Sequence, residues 1–237
     1  MTEEIFRSDS YQKTCEARVT AVEEGGGIRL DRTVFYPEGG GQPGDIGTLR
    51  AADGREVTIA NTKKHGESGE PLHLPEESAP ALTIGDAVTC EIDWERRHRF
   101  MRIHTCMHLL CSLIEGDVTG GGLSDGKARL DFNLPEVKLD KEHLAAELNR
   151  LIEEDHPLAA RWITEAELEA NPGLVRTMSV KPPMGQGRIR LMEIAGIDLQ
   201  PCGGTHVART GEIGPVRIGK IENKGRQNRR VNIAFVE

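Results

Sequence analysis

The sequence predicts an α+β protein with two domains, a small β domain at residues 1–94 and a larger mixed domain at residues 95–237. Short segments of strand-like composition, separated by glycine turns, fill the first part of the chain. From residue 95 the apolar residues follow a helical period, and later strands mix with helices without regular βαβ alternation. A chain of 237 residues is long enough to bury a core in this arrangement.

The β domain is predicted from three segments rich in apolar and β-branched residues: Ala17–Val22, Val57–Ala60 and Ala87–Trp94. The glycine run at 25–27 and the Asp-Gly pair at 53–54 are typical of turns between such strands. The segment 66–80 contains three prolines and several acidic residues, so we expect a surface loop there.

Three helices are predicted in the larger domain. At Glu95–Glu115, apolar residues recur every three or four positions, and Asp140–Glu154 begins with a residue suited to cap a helix. A short third helix is expected after Thr164, which forms a capping-box pattern with Glu167. Strands are expected at four segments: Ala128–Phe132, Arg188–Ile194, Val216–Lys220 and Val231–Phe235.

The composition is that of an ordinary globular protein, with 37% hydrophobic residues, 29% charged residues and a formal net charge of -8. No run of about 18 apolar residues and no apolar signal segment occurs, so we expect a cytoplasmic protein without a membrane partner. The five cysteines are odd in number and scattered, which argues against a disulfide framework. Basic residues cluster at 95–102 and 220–230, which is compatible either with a face that binds a polyanion or with a solvated charged surface.

Two separated pairs of residues predict a metal site. His104 and His108 lie four residues apart on the first predicted helix, so their imidazoles project from the same face. Cys202 and His206 belong to a C-G-G-T-H segment whose glycines permit a tight bend. Three imidazoles and one thiolate are ligands that zinc prefers, so the four residues predict a zinc site. Cys111 is a rival ligand, although a small buried thiol is the simpler interpretation of that residue.

Two further features limit the chemistry. A zinc protease would need glutamate after the first histidine, where this chain has Thr105. The segment 36–47 contains five glycines in twelve residues but lacks the G-K-[ST] of a phosphate-binding P-loop. Glycines of this kind either shape a structural turn or let the backbone approach a ligand closely.

Five blocks of sequence, in order along the chain, resemble one known family. They are a glycine-rich segment, two histidine-containing blocks, a strand between them and a final T-G-E-I-G: Glu38–Gly47, Arg102–Leu110, Arg129–Phe132, Pro201–Val207 and Thr210–Gly214. Together they are similar to the editing domain of alanyl-tRNA synthetase and to its stand-alone relatives, the AlaX family. The resemblance covers nearly the whole chain.

The resemblance implies a fold and a reaction. The fold is a small N-terminal β-barrel followed by the α+β editing domain that alanyl- and threonyl-tRNA synthetases share. The reaction is hydrolysis, in trans, of the ester that joins a wrong amino acid to the acceptor end of tRNA(Ala). No DNA partner is expected. The expected amino acid is serine and, in some members, glycine, since a pocket built for alanine excludes neither strongly and a second sieve is needed.

The resemblance also implies roles for particular residues. A zinc ion held by the predicted catalytic residues His104, His108, Cys202 and His206 would orient the aminoacyl end and the hydrolytic water. Whether the ion also activates that water is open, because four protein ligands complete a tetrahedral site. The amino acid is expected to contact Gly39, Gly40, Gly41 and Gln42, and a serine hydroxyl is expected to contact Thr119. The tRNA phosphates are expected to contact Arg226 and Arg229.

Two positions depart from the family pattern. Met107 stands where synthetase editing domains often have threonine, and Gly120 stands where they often have glutamine. The preference between serine and glycine is therefore left open. Three alternative functions remain open: a non-catalytic, zinc-containing tRNA-binding module; an enzyme acting on Ser-tRNA(Thr); and a general zinc esterase.

Overall fold

The computed structural model describes residues 1–66, 68–135, 138–177 and 187–236. The chain forms two compact units, Met1–His98 and Arg99–Glu237. The predicted domain boundary after residue 94 lies close to this division and stays a prediction. The mixture of helices and strands confirms the α+β class. In the described part of the chain, no helix combines the length and the apolar character that a bilayer span requires.

The N-terminal unit contains a closed six-stranded β-barrel. The unit has eight strands, which are β1 (Glu3–Glu4), β2 (Thr14–Val22), β3 (Ile28–Leu30), β4 (Arg32–Thr33), β5 (Gly47–Ala51), β6 (Glu56–Lys64), β7 (Pro71–Pro75) and β8 (Ala87–Ile92) in the described part of the chain. The barrel order is β2-β3-β7-β6-β5-β8, and neighbouring strands are antiparallel. Strands β1 and β4 form a separate parallel pair. The barrel implied by the family resemblance is confirmed.

Strand β7 corrects the prediction of a surface loop at 66–80. Pro71 and Pro75 stand at the two ends of this strand, where a missing N–H costs little, and between them the strand carries a fully buried His73. The prolines therefore bound a strand here. Strand β7 forms a hairpin with β6, and it also pairs with β3 through Ile28 and His73, a long-range contact that local composition does not reveal.

The larger unit combines three helices with two antiparallel sheets. Its elements are α1 (Trp94–Leu113, which begins in the N-terminal unit), β9 (Asp117–Ser124), β10 (Lys127–Asn133), α2 (Lys141–Glu153), β11 (Leu158–Thr164), α3 (Glu165–Ala170), β12 (Arg188–Ile194), β13 (Asp198–Pro201), β14 (Val216–Lys224) and β15 (Asn228–Phe235). The four-stranded sheet has the order β14-β15-β10-β9, and the three-stranded sheet has the order β11-β12-β13.

The predicted helix starts are confirmed by their caps. The Asp140 carboxylate accepts a hydrogen bond from the His143 backbone N–H at 3.0 Å at the start of α2. At the start of α3, the Thr164 hydroxyl accepts from the Glu167 backbone N–H at 3.1 Å. The Glu167 carboxylate in turn accepts from the Thr164 backbone N–H at 2.7 Å, which completes the capping box.

Helix α1 is buried on almost every side between residues 100 and 111. Its predicted apolar stripe is buried, as are residues outside the stripe such as Met101 and Leu109, which are fully inaccessible. A helix that is apolar all round lies inside a protein, and polar side chains on it are buried with it. The two histidines of this helix are therefore carried into the interior of the unit.

Candidate metal centre

The metal centre is built from one helix and one loop of the larger unit. Helix α1 supplies His104 and His108, one turn apart, and the loop after β13 supplies Cys202 and His206. Backbone and side-chain bonds to Arg190 on β12 hold the loop. The Cys202 N–H donates to the Arg190 carbonyl at 3.1 Å, and the Arg190 guanidinium donates to the Cys202 carbonyl at 3.0 Å.

The four side chains converge on one point. One ligand atom from each, three nitrogens and one sulfur, lies within 4.8 Å of the others. The Cys202 Sγ atom is 3.2 Å from His206 Nε2 and 3.6 Å from His104 Nε2. The histidines are buried, with exposed fractions of 7% for His104, 6% for His108 and 3% for His206, while Cys202 is partly exposed.

A second layer of hydrogen bonds orients two of the imidazoles. His108 Nδ1 lies 2.9 Å from the Asp198 carboxylate, and His206 Nδ1 lies 3.1 Å from the Thr105 hydroxyl. The Gln200 amide donates to the same Asp198 oxygen at 2.8 Å, so the carboxylate is itself held in place. With Nδ1 occupied, the Nε2 atom of each ring is left to face the centre, an arrangement common around metal-binding histidines.

The electrostatics of the cluster favour a thiolate. Burial opposes ionisation of Cys202, but the neighbouring His104 and His206 more than offset it and hold the pKa of the thiol well below its ordinary value. Burial lowers the pKa of His206 to about 3, so this imidazole is neutral. For His108, burial also lowers the pKa, but bonds to Asp198 and Cys202 raise it overall to about 10. Cys202 and His206 thus have the thiolate and neutral imidazole forms that bind metals, whereas His108 releases a proton when a metal binds.

The donor set fits a tetrahedral zinc ion. Zinc–nitrogen bonds of about 2.0–2.1 Å and a zinc–sulfur bond of about 2.3 Å place tetrahedral ligand atoms roughly 3.3–3.6 Å apart. The longer sulfur–nitrogen distance in the cluster, 3.6 Å, lies in this range, and the shorter one, 3.2 Å, lies just below it. Three imidazoles with one thiolate form a ligand set typical of zinc, whereas calcium and magnesium prefer oxygen ligands.

Cys111 does not belong to the cluster. It is buried on α1, with an exposed fraction of 4%, and lies outside the group of four converging ligands. Burial raises the pKa of its thiol to about 12, so it stays protonated and is a poor ligand. The simpler interpretation of this residue as a small buried thiol therefore agrees with the structure.

The structure distributes the other predicted substrate contacts between the two units. In the larger unit, Thr119 lies on β9, with its hydroxyl 3.1 Å from the Asp131 carbonyl and 3.2 Å from the Asn228 side-chain oxygen. Arg226 is exposed in the turn between β14 and β15, and Arg229 is partly buried on β15. The roles of these residues toward a substrate stay predictions.

The glycine-rich segment lies in the N-terminal unit, in the connection that leads into β5. Gly39 and Gln42 exchange backbone hydrogen bonds of 3.0 and 3.1 Å, with Gly40 and Gly41 at positive φ between them. Gln42 is fully buried. The contribution of these four residues to an amino-acid pocket stays a prediction.

A buried ion pair that the sequence analysis missed anchors this segment. Asp45 and Arg97, with exposed fractions of 1% and 0%, form the pair, and the guanidinium also donates to the Val34 carbonyl at 2.6 Å. The Tyr36 backbone N–H donates to the Asp45 carboxylate at 2.6 Å, which closes the loop from residue 36 to residue 45. Gly44 packs so tightly that a Cβ atom there would lie 1.9 Å from the Thr62 carbonyl oxygen.

Comparison with protein families places both units among tRNA synthetase domains. Residues 189–232 match the family described as the threonyl and alanyl tRNA synthetase second additional domain. This match includes Cys202, His206 and the supporting Asp198. Residues 4–96 match the family described as tRNA synthetases class II (A), and this match includes the whole glycine-rich segment.

Several curated proteins match the chain over its whole length. The alanyl-tRNA editing protein AlaX-M of Methanosarcina acetivorans is 38% identical over 248 residues, which cover 100% of both chains. That of Saccharolobus solfataricus is 39% identical, with 98% of each chain covered. The alanine–tRNA ligase of Pyrobaculum neutrophilum is 36% identical over 93% of this chain but only 25% of its own length. The chain therefore belongs to the AlaX-M family of alanyl-tRNA editing proteins.

Proposed function

We propose that this protein is an aminoacyl-tRNA deacylase that acts in trans on mischarged tRNA(Ala), with seryl-tRNA(Ala) as its main substrate and glycyl-tRNA(Ala) as a second one. The observation that carries the proposal is the buried cluster of three histidines and one cysteine in a chain matched end to end by proteins named for alanyl-tRNA editing. The matched ligases carry a similar region within a much longer chain, which supports an editing module that works separately from the ligase.

The physical need for such an enzyme lies in the size of the amino acids. Glycine is smaller than alanine, and serine adds only a hydroxyl, so a binding pocket discriminates each of them by roughly 1–3 kcal/mol. A second site that hydrolyses the wrong product raises the overall fidelity beyond what binding alone provides. A separate deacylase supplies that second site.

The metal is proposed to be zinc, held by His104, His108, Cys202 and His206. When bound, zinc supplies a positive charge that orients the aminoacyl ester and the hydrolytic water. Asp198 and Thr105 hold the rings of His108 and His206 so that their Nε2 atoms face the ion. These hydrogen bonds fix the orientation of the two imidazoles before a substrate binds.

The remaining contacts are proposed from the family resemblance. Gly39, Gly40, Gly41 and Gln42 border the amino acid, Thr119 accepts a hydrogen bond from the serine hydroxyl, and Arg226 and Arg229 contact tRNA phosphates. The Thr119 hydroxyl already lies within bonding distance of two acceptors in its sheet. Its free lone pairs are therefore the group available to a serine hydroxyl, which would donate the hydrogen bond.

The test is deacylation of four substrates by the zinc-loaded protein: Ser-, Gly- and Ala-tRNA(Ala), and Ser-tRNA(Thr). Fast loss of serine from tRNA(Ala), slower loss of glycine and retention of alanine are expected. Preferred hydrolysis of Ser-tRNA(Thr) would assign the enzyme to threonine editing. Absence of hydrolysis of all four by zinc-loaded protein would refute the proposal and leave a tRNA-binding module, whereas turnover of simple esters lacking tRNA would indicate a general esterase.

A further inference from the structure

A row of three residues crosses the end of the four-stranded sheet. Lys127 on β10 is paired with Ala234 on β15, and Ala234 is paired with Arg217 on β14. Residues directly opposite one another in antiparallel strands project from the same face of a sheet. Lys127 and Arg217 therefore stand on one face, two strand spacings or about 10 Å apart, with the small Ala234 between them.

The two cations are exposed and available. Among the residues that the structure describes, neither Lys127 nor Arg217 has an ion-pair partner. They line a cleft of about 350 Å³ whose other walls are the side chains and backbone of Asp125, Gly126, Ala234, Phe235 and Val236. The carboxylate of this cleft, Asp125, is paired with Arg99. The cleft therefore presents two unneutralised positive charges over a small apolar floor.

The same face of the sheet continues the positive charge away from the cleft. By strand register it carries three further cations and three acids: Arg129, Arg230, Lys224, Asp131, Glu222 and Asp117. Asp131 is shared between two arginines, Arg129 at 3.0 Å and Arg230 at 2.6 Å, and Glu222 lies 3.6 Å from Lys224. Asp131 and Glu222 are thus engaged by cations of the same face, and the five cations of the face still outnumber its three acids.

We infer that this sheet face binds the phosphodiester backbone of the RNA substrate, with Lys127 and Arg217 holding backbone phosphates in the cleft. The inference rests on the proposed function for the identity of the RNA, tRNA(Ala). The charge of the face is complementary to a polyanion, although the whole protein carries a formal net charge of -8. An acidic protein that gathers exposed cations on one sheet face directs a polyanion to that face and repels it elsewhere. This surface includes residues of β10 that precede the basic cluster at 220–230 by about 90 positions of sequence.

The test measures the affinity of the full protein for uncharged tRNA(Ala) by fluorescence anisotropy over a series of salt concentrations. The variant Lys127→Gln with Arg217→Gln removes the two cleft cations. Its matched control, Lys138→Gln with Lys141→Gln, removes two exposed cations of the same unit that lie outside this sheet. We expect the cleft variant to bind about 10-fold more weakly than the control, with the slope of log K against log salt reduced by about 2.

Equal affinities and equal salt slopes for the two double variants would overturn the inference. Because binding is measured with uncharged tRNA, a failure of the proposed hydrolysis would not alter this outcome. A protein that binds tRNA through the cleft without hydrolysing it would keep the inference and refute the proposed function.

Discussion

Each of the four ligands of the metal centre faces the other three, so removal of one leaves buried, partly charged groups without their common partner. We predict that His104→Ala and Cys202→Ala each lower deacylation by at least about 1,000-fold, since the catalytic ion is lost or misplaced. Bound zinc, measured by mass spectrometry of the native protein, should fall in parallel. The circular dichroism spectrum should stay close to that of the wild type. Unchanged turnover in both variants would contradict the assignment of these ligands.

Asp198 acts one layer farther out, through its 2.9 Å contact with His108 Nδ1. We predict that Asp198→Asn weakens zinc binding by about 10- to 100-fold, because the amide no longer fixes the ring by an ionic hydrogen bond. The affinity is measured by competition with a chromophoric chelator. Asp117→Asn, a change at an exposed residue at the start of β9, is the matched control and should leave the affinity unchanged. Equal affinities in the two variants would show that Asp198 has no positioning role.

The four candidate metal ligands could be predicted from the sequence, whereas the side chains that support them could not. His104 and His108 are separated by one helical turn, and a C-G-G-T-H segment brings Cys202 and His206 together over a short bend. Asp198 reaches His108 across 90 positions of sequence, and only the pairing of β13 with β12 places it there. A carboxylate four residues before a candidate cysteine ligand was the available signal. Such a signal is weak, because acidic residues are common at that spacing.

At the scale of single elements, the buried pair of Arg97 and Asp45 joins the start of α1 to the glycine-rich segment. We predict that Arg97→Met lowers the free energy of unfolding by about 3–5 kcal/mol, because it leaves the Asp45 carboxylate buried without its partner. Arg50→Met breaks the exposed pair with Glu56 in the same unit and should lower the free energy of unfolding far less, because solvent screens an exposed pair. Urea unfolding followed by tryptophan fluorescence measures both. Equal losses in the two variants would contradict a structural role for the buried pair.

Strand β7 contributes a second testable element, the fully buried His73 between Thr33 and Ile28. Its Nδ1–H donates to the Ile28 carbonyl at 2.9 Å, and its Nε2 accepts from the Thr33 hydroxyl at 2.8 Å. Burial lowers the pKa of His73 to about 4. Below its ordinary pKa of about 6.5, the unfolded chain takes up a proton that the folded protein does not, so stability falls as the pH decreases toward 4.

The expected loss from His73 is about 2 kcal/mol between roughly pH 7 and pH 5. His73→Gln, which does not titrate, should lose less stability over this range, while His143→Gln at an exposed site should behave as the wild type does. Thermal or urea unfolding at the two pH values gives the comparison. The same pH dependence in all three proteins would show that His73 does not contribute.

Local sequence signals determined which elements could be predicted. The helices carry clear periodicity and caps, so α2 and α3 begin where Asp140 and Thr164 indicate. Strand β9 contains three consecutive glycines, which lack strand propensity, and it is held by its pairing with β10. Strand β7 has a proline at each end, and these prolines led the sequence analysis to predict a loop. Strands whose stability comes from pairing with neighbouring strands leave little trace in their own composition.

At the scale of the whole molecule, the net charge and its distribution point in different directions. A formal charge of -8 suggests weak interaction with nucleic acid, yet the exposed face of the four-stranded sheet carries an excess of lysine and arginine. Strand register gathers these cations from separate segments, so the sequence alone predicted only the basic clusters at 95–102 and 220–230. The barrel and the editing domain could be predicted because the motifs, in their order along the chain, resemble a single family.

The central claim is that the histidine–cysteine centre of this AlaX-M protein holds a zinc ion required for the removal of serine from tRNA(Ala). Its most direct test compares the deacylation of Ser-tRNA(Ala) by chelator-treated protein, by the same protein after addition of one equivalent of zinc, and by zinc-treated Cys202→Ala. The account predicts that chelation abolishes hydrolysis, that zinc restores it in the wild type, and that the variant stays inactive. Full activity of the protein verified to be free of metal would contradict the claim.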